Sequence, residues 1–122
     1  MRHQEEIRDY YQLTDAQMGV YLECIRKPGT KMYNIPVICR LPEKVDTERF
    51  EKAVTAVIRT HKAFHVTVKM MEENPVMIIR EREPEVIRKK VESLAAEKKS
   101  FVQSFDLEKG PLYRMELCEC CG

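Results

Sequence analysis

VDTERFEKAVTAVIRTHKAFHVTVKMM, residues 45–71, changes its apolar period once, and that change sets the fold. Phe50, Ala53, Val54, Val57 and Ile58 recur at i, i+3, i+4, i+7 and i+8, one apolar face of a helix. Asp46 is its N-cap, because a carboxylate can accept from the orphan N–H groups of a first turn. Val45 and Phe50 are spaced as a hydrophobic staple. Beyond His61 the period drops to two. Phe64, Val66, Val68 and Met70 alternate with His65, Thr67, Lys69 and Met71, which predicts a strand with the first set buried. A helix running into a strand needs a sheet to join and a layer to cover.

Upstream, residues 1–12 read as a polar tail, with Tyr10 and Tyr11 the first side chains able to pack. Thr14-Asp15-Ala16-Gln17 matches a capping box, and Leu13 and Met18 a second staple. Met18, Tyr21, Leu22 and Ile25 then form the buried face of a helix that Pro28-Gly29 ends. Gly19 inside it costs about 1 kcal/mol against Ala, which close packing on a neighbour would explain. Tyr33 to Leu41 reads as a strand with Tyr33, Ile35, Val37, Cys39 and Leu41 on one face; Pro36 removes one ladder donor.

Downstream, Glu72-Glu73-Asn74-Pro75 is a turn and Val76–Glu81 a hairpin partner. From Glu85 the spacing predicts a long helix with Ile87, Val91, Leu94, Ala95, Phe101 and Val102 on one stripe. Arg88, Lys89, Lys90, Glu92, Lys98 and Lys99 fall on its solvated face. Phe105–Leu107 and Gly110-Pro111 make a loop, and Leu112–Cys120 a last strand. The order is α-β-α-β-β-α-β, an α+β fold with helices packed on a mixed sheet.

Composition narrows the function. The 122 residues are 43% apolar and 34% charged, enough for one domain with a modest core. Twenty-one basic residues against twenty acidic ones give a net charge of +1, no reason to expect nucleic acid or an anionic membrane as partner. No apolar run suits a signal peptide or a membrane span, so the expected location is cytoplasmic. Five cysteines, an odd count, point to reduced thiols. Cys118-x-Cys120-Cys121 lacks the spacing of a zinc site, and a break between His61 and His65 spoils their use as a metal pair. Four scattered glycines form no phosphate loop, and no serine lies in a nucleophile elbow. No metal, bound cofactor or catalytic residue is expected in this sequence.

Four segments together are more specific. LTDAQMGVY (13–21) resembles the first core motif of nonribosomal peptide synthetase condensation domains, S-x-A-Q-x-R-[LM]-W. IRTHKAFHV (58–66) is similar to the second, R-H-E-x-L-R-T-x-F. Tyr33-Asn34-Ile35-Pro36 resembles the family's Y-N-x-P, and SFDLEKGPLYR (104–114) its F-D-L-x-x-G-P-L-x-R. The order matches, and the resemblance spans Leu13 to Leu117. It implies the fold of chloramphenicol acetyltransferase, of which residues 13–122 would be a partial N-terminal lobe.

The resemblance also implies a chemistry. An acceptor amine attacks a donor thioester, both carried on 4'-phosphopantetheine arms of carrier proteins, assisted by the second His of H-H-x-x-x-D-G. That motif follows the family's equivalent of the last strand, and this sequence contains no His-His pair. Gly19 and Tyr21 stand where the first motif has Arg and Trp. His65 stands where the second has Arg, and Val66 and Val68 where it has Thr and Phe. Thr14, Ala16, Gln17, Tyr21, Arg59, His61 and His65 are therefore expected to brace the lobe, not to react. The implied partners are peptidyl or acyl carrier proteins and the rest of a synthetase. The chain alone is expected to be inactive, and to self-associate through its C-terminal edge strand. The alternative is a stand-alone, non-catalytic module that binds a carrier protein or a synthetase partner.

Overall fold

The computed structural model describes residues 9–120. Two small sheets carry the chain. Strand β1 (Asp9–Gln12) opens it, followed by helices α1 (Asp15–Arg26) and α2 (Thr47–Thr60). A 3₁₀ turn (Lys62–His65) leads into β2 (Val66–Met71) and β3 (Asn74–Ile79). Strand β4 (Ile87–Val91), helix α3 (Leu94–Phe101) and β5 (Glu116–Cys120) complete the order. Strands β1 and β2 flank β3, both antiparallel, while β4 and β5 pair in parallel. The fold is α+β, as the periodicities imply.

The caps form as spaced. Thr14 Oγ1 accepts from Gln17 N and Gln17 Oε1 from Thr14 N, and Asp46 Oδ1 accepts from Arg49 N at 3.2 Å. The hairpin turns through Glu72 and Glu73, both at positive φ (49° and 70°), with Met71 opposite Asn74. That geometry matches the right-handed twist of the two strands, although neither turn residue favours it.

Several expectations are corrected. The last four residues of the polar tail are strand β1, held by backbone pairing to β3 that side-chain polarity does not reveal; residues 1–8 lie outside the described residues. In α1, Met18 and Tyr21 are half-buried but Leu22 and Ile25 are exposed, and a Cβ built on Gly19 meets nothing within 4 Å, so no close packing explains that glycine. Tyr33–Leu41 is not in a sheet; among the described residues no strand pairs with it. In α2, Ile58 is buried whereas Val57 is 50% exposed.

Strand β2 is turned over. His65 and Thr67 are buried, and Val66 and Val68 only half-buried. Thr67 lies opposite Ile78 in the register, and these two with Ile58 are the most deeply buried side chains.

The expected long helix from Glu85 is instead β4, a break, and the short helix α3. Ile87, Lys89 and Val91 share one face of β4, and Ser93 Oγ starts α3 by accepting from Ala96 N. Of the basic run only Lys98 and Lys99 stand exposed on a helix; Arg88, Lys89 and Lys90 belong to β4. Arg88 Nη1 pairs with Glu51 at 3.4 Å, and Lys89 Nζ lies between Glu97 (2.6 Å) and Glu116 (3.1 Å). The last strand is shorter than expected, beginning at Glu116; Leu112 to Met115 are half-buried outside it.

The Lys89 cluster ties β4, α3 and β5 together and has a pH signature. The hydrogen bond from Lys89, and then Glu116, hold the Glu97 carboxyl below its ordinary 4.5. A depressed folded pKa contributes stability above the unfolded value and loses it as pH falls through the folded one. We expect the chain's urea midpoint to fall on acidification. Lys89→Met should lower the midpoint at pH 7, because two carboxylates then face each other, and should reverse the slope as protonation of Glu97 relieves them. Parallel acid profiles for the two proteins would contradict the cluster's role.

Candidate functional site

The second motif sits where α2 ends. A helix leaves its last four carbonyls without intrahelical partners, here those of Val57, Ile58, Arg59 and Thr60. His61 answers the first: its backbone N–H donates to Val57 O at 3.2 Å, and its Nδ1–H to the same oxygen at 2.8 Å. His65 answers the second, its Nε2–H donating to Ile58 O at 2.8 Å from a buried position. A carbonyl only accepts, so both tautomers are fixed: Nδ1–H in His61 and Nε2–H in His65. Thr60 Oγ1 adds a bond to Ala56 O at 3.1 Å. The two imidazoles are thus C-terminal caps that turn the chain from α2 into β2. Among the described residues no group of three or more His, Cys, Asp or Glu is placed to hold a metal ion.

The expected brace positions do not all converge. Anchored on His61, the motif's first Arg falls on Thr60; Arg59 lies one residue earlier and pairs with Glu83 at 2.9 Å on the surface. Arg59, His61 and His65 share one junction. Thr14, Ala16 and Gln17 start α1, which follows Gln12 at the Val76 end of the sheet. His65 is at the other end, where its carbonyl accepts from Arg80 N at 2.8 Å. Ala16 is exposed and Tyr21 half-buried.

A second bracing element comes from residues 104–114, outside the expected brace set. Asp106 Oδ1 accepts from Glu108 N (3.1 Å) and Lys109 N (3.0 Å), while its carbonyl accepts from Gly110 N. The amide of Lys109 foremost holds the Asp106 carboxyl below its ordinary 3.8. The loop closes onto β2 through Val68 N, which donates to Leu107 O at 2.7 Å. Gly110 follows at φ +62°, and a Cβ there would lie 2.7 Å from Thr67 Cγ2.

Aromatic contacts complete this junction. Phe64 meets Tyr113 edge-on at 5.3 Å, Tyr113 Oη accepts from Glu85 N, and Arg114 stacks over Phe105 while donating to Phe101 O. The Asp-x-x-x-Gly-Pro spacing was the available signal: an Asx turn followed by a residue that only glycine suits. A cavity of about 160 Å³ beside the loop is lined by Phe105, Asp106, Gly110, Pro111, Tyr113 and Arg114 among others. Small-molecule sites usually hold ~300–1,000 Å³, and this cavity is smaller. The chemistry within reach is conformational: both motifs fix the path of β2.

Known proteins place this arrangement. The family model for the condensation domain matches residues 7–120. Bacitracin synthase 3 of Bacillus licheniformis is 37% identical over 117 residues, covering 92% of this chain and 2% of that protein. Gramicidin S synthase 2 of Aneurinibacillus migulanus is 30% identical over 112 residues, covering 89% of this chain and 2% of that protein. Among solved structures, a four-domain nonribosomal peptide synthetase bound to AMP and glycine aligns with TM-score 0.77 at 20% identity, over 99% of this chain and 10% of that one. The starter condensation domain of rhizomide synthetase, a mutant, aligns with TM-score 0.72 at 20% identity, over 90% of this chain and 27% of that one. The chain spans a few per cent of the curated synthetases and about a quarter of the solved condensation domain. With the family model matched over residues 7–120, the chain belongs to the condensation-domain family.

Proposed function

We propose that this chain supplies the first part of a nonribosomal peptide synthetase condensation domain that joins carrier-bound acyl and aminoacyl groups through an amide. The observation that carries the reading is the match over residues 7–120, in the order of the four motifs. Within that reading its side chains do not react. His61 and His65 donate their ring protons to backbone carbonyls of α2. A general base needs a substrate proton within hydrogen-bond reach, and the family's His-His motif is absent from this sequence. Thr14, Gln17, His61 and His65 hold helix ends, and Asp106 and Gly110 hold the edge of β2. The substrates would arrive on phosphopantetheine arms of carrier proteins, against surfaces that the rest of a synthetase completes.

The test is product mass after incubating the purified chain with loaded donor and acceptor carriers. No dipeptide above the rate without protein is expected. Dipeptide formation that His61→Ala abolishes would overturn the assignment of these imidazoles to bracing. Among the described residues β5 has a strand on one side only, so light scattering on the same sample should also show self-association of the isolated chain through that edge.

A further inference from the structure

Thr67 is 1% exposed, and its hydroxyl Oγ1 is buried with no hydrogen-bond partner among the described residues. Two residues earlier, on the same face, His65 Nδ1 is likewise buried and unpaired. Neither atom has surface that solvent can reach, so water does not stand in for the missing partner. A sealed, unpaired hydroxyl opposes whatever contact seals it, because an open state returns it to water.

The contact over Thr67 comes from residues 106–110. A Cβ built on Gly110 would lie 2.7 Å from Thr67 Cγ2, so the loop backbone rests directly on this side chain. Inside the loop the bonds are its own: Asp106 Oδ1 accepts from Glu108 N and Lys109 N, and Asp106 O from Gly110 N. Outward, Leu107 O accepts from Val68 N and Lys109 O from Arg82 Nη2. The flanking segments 102–105 and 111–115 lie in neither helix nor strand. The loop is thus a self-bonded unit between two irregular connections.

We propose that residues 106–110 are a strap that lifts from β2 as one unit in a minor population of the folded chain, driven by hydration of Thr67 Oγ1. Lifting breaks outward bonds that water can replace and keeps the internal ones. It bares the outer edge of β2 at Val68 while β2 stays paired with β3. The two events are separable because successive strand residues direct their backbone groups to opposite edges. Val68 N is bonded to the strap, and Thr67 and Lys69 on either side of it face β3.

Native-state hydrogen exchange reads the movement, followed by NMR at each amide of the purified chain across low urea concentrations. Val68 should exchange roughly tenfold or more faster than Lys69, with a much weaker urea dependence, the signature of a local opening that exposes little surface. Thr67→Val, which trades the hydroxyl for a methyl of similar shape, should slow exchange at Val68 by roughly tenfold. Thr67→Ser keeps a hydroxyl and should not slow it. Equal rates and equal urea dependence at Val68 and Lys69 would overturn the proposal, since the strap would then leave only with the sheet. Unchanged or faster exchange at Val68 in Thr67→Val would overturn it too, because the hydroxyl would not be what the strap seals. So would equal slowing in Thr67→Ser, or loss of the fold in Thr67→Val.

Discussion

Ile78→Ala should lower the stability of this chain by about 2–5 kcal/mol, the usual cost of emptying a well-packed isoleucine or leucine site. Ile78 is 0% exposed and lies opposite both Tyr10 of β1 and Thr67 of β2, so all three strands of the first sheet meet at it. Few other apolar side chains are buried: Ile58, Val76 and Val91 complete the set among the described residues. A domain's whole margin is on the order of 5–15 kcal/mol, so one truncation here should remove a large share of it. Ile35→Ala, on the exposed run, should stay within roughly 0.5 kcal/mol of the parent. Urea midpoints of the two variants check this. Equal midpoints would show that the sheet is not held together at Ile78.

Gly110→Ala should be the second large loss, about 2–5 kcal/mol. A side chain at a left-handed φ costs ~1–2 kcal/mol, and forcing a methyl against a packed core adds ~1–3. The contact is with Thr67 Cγ2 at 2.7 Å, and Thr67 is buried and β-branched, with few rotamers to retreat into. Gly29 is the internal control. It also has positive φ, 81°, but a Cβ there meets nothing within 4 Å. Gly29→Ala should therefore show the backbone cost alone. Equal losses at the two glycines would contradict the contact between the Asp106 loop and β2.

What could be read from the sequence was local, and what was missed came from tertiary partners. Thr14, Gln17 and Asp46 cap through neighbours three residues away, so their spacing sufficed. The turn at Glu72-Glu73 was legible because two strand-like runs flank it. The face of β2 was not. Alternation marks two faces without saying which is inside, and the set with His65, Thr67 and Lys69 is the more polar one. His65 is buried because Ile58 O, seven residues back, needs a donor.

Strand β4 hid for a related reason. Its inward middle position is Lys89, and only Glu97 and Glu116, from elements elsewhere in the chain, make that position tolerable. Without those partners in view, Ile87, Val91, Leu94 and Ala95 fit a helical stripe. Residues 33–41 fail differently: their strand-like pattern is real, but no described strand pairs with them. Of the expected brace residues, Thr14, Gln17, His61 and His65 stand at helix ends, while the importance of Asp106 and Gly110 rested on contacts with β2 that no spacing shows.

The most direct measurement replaces the matched segment of a condensation domain in bacitracin synthase 3 with residues 7–120 of this chain and follows dipeptidyl carrier formation by mass. Amide product from the folded hybrid, retained in His61→Gln and lost when the hybrid's own His-His motif is removed, is the result expected if this chain is the bracing first part of an amide-forming domain. A hybrid that folds, loads both carriers and forms no product would contradict it.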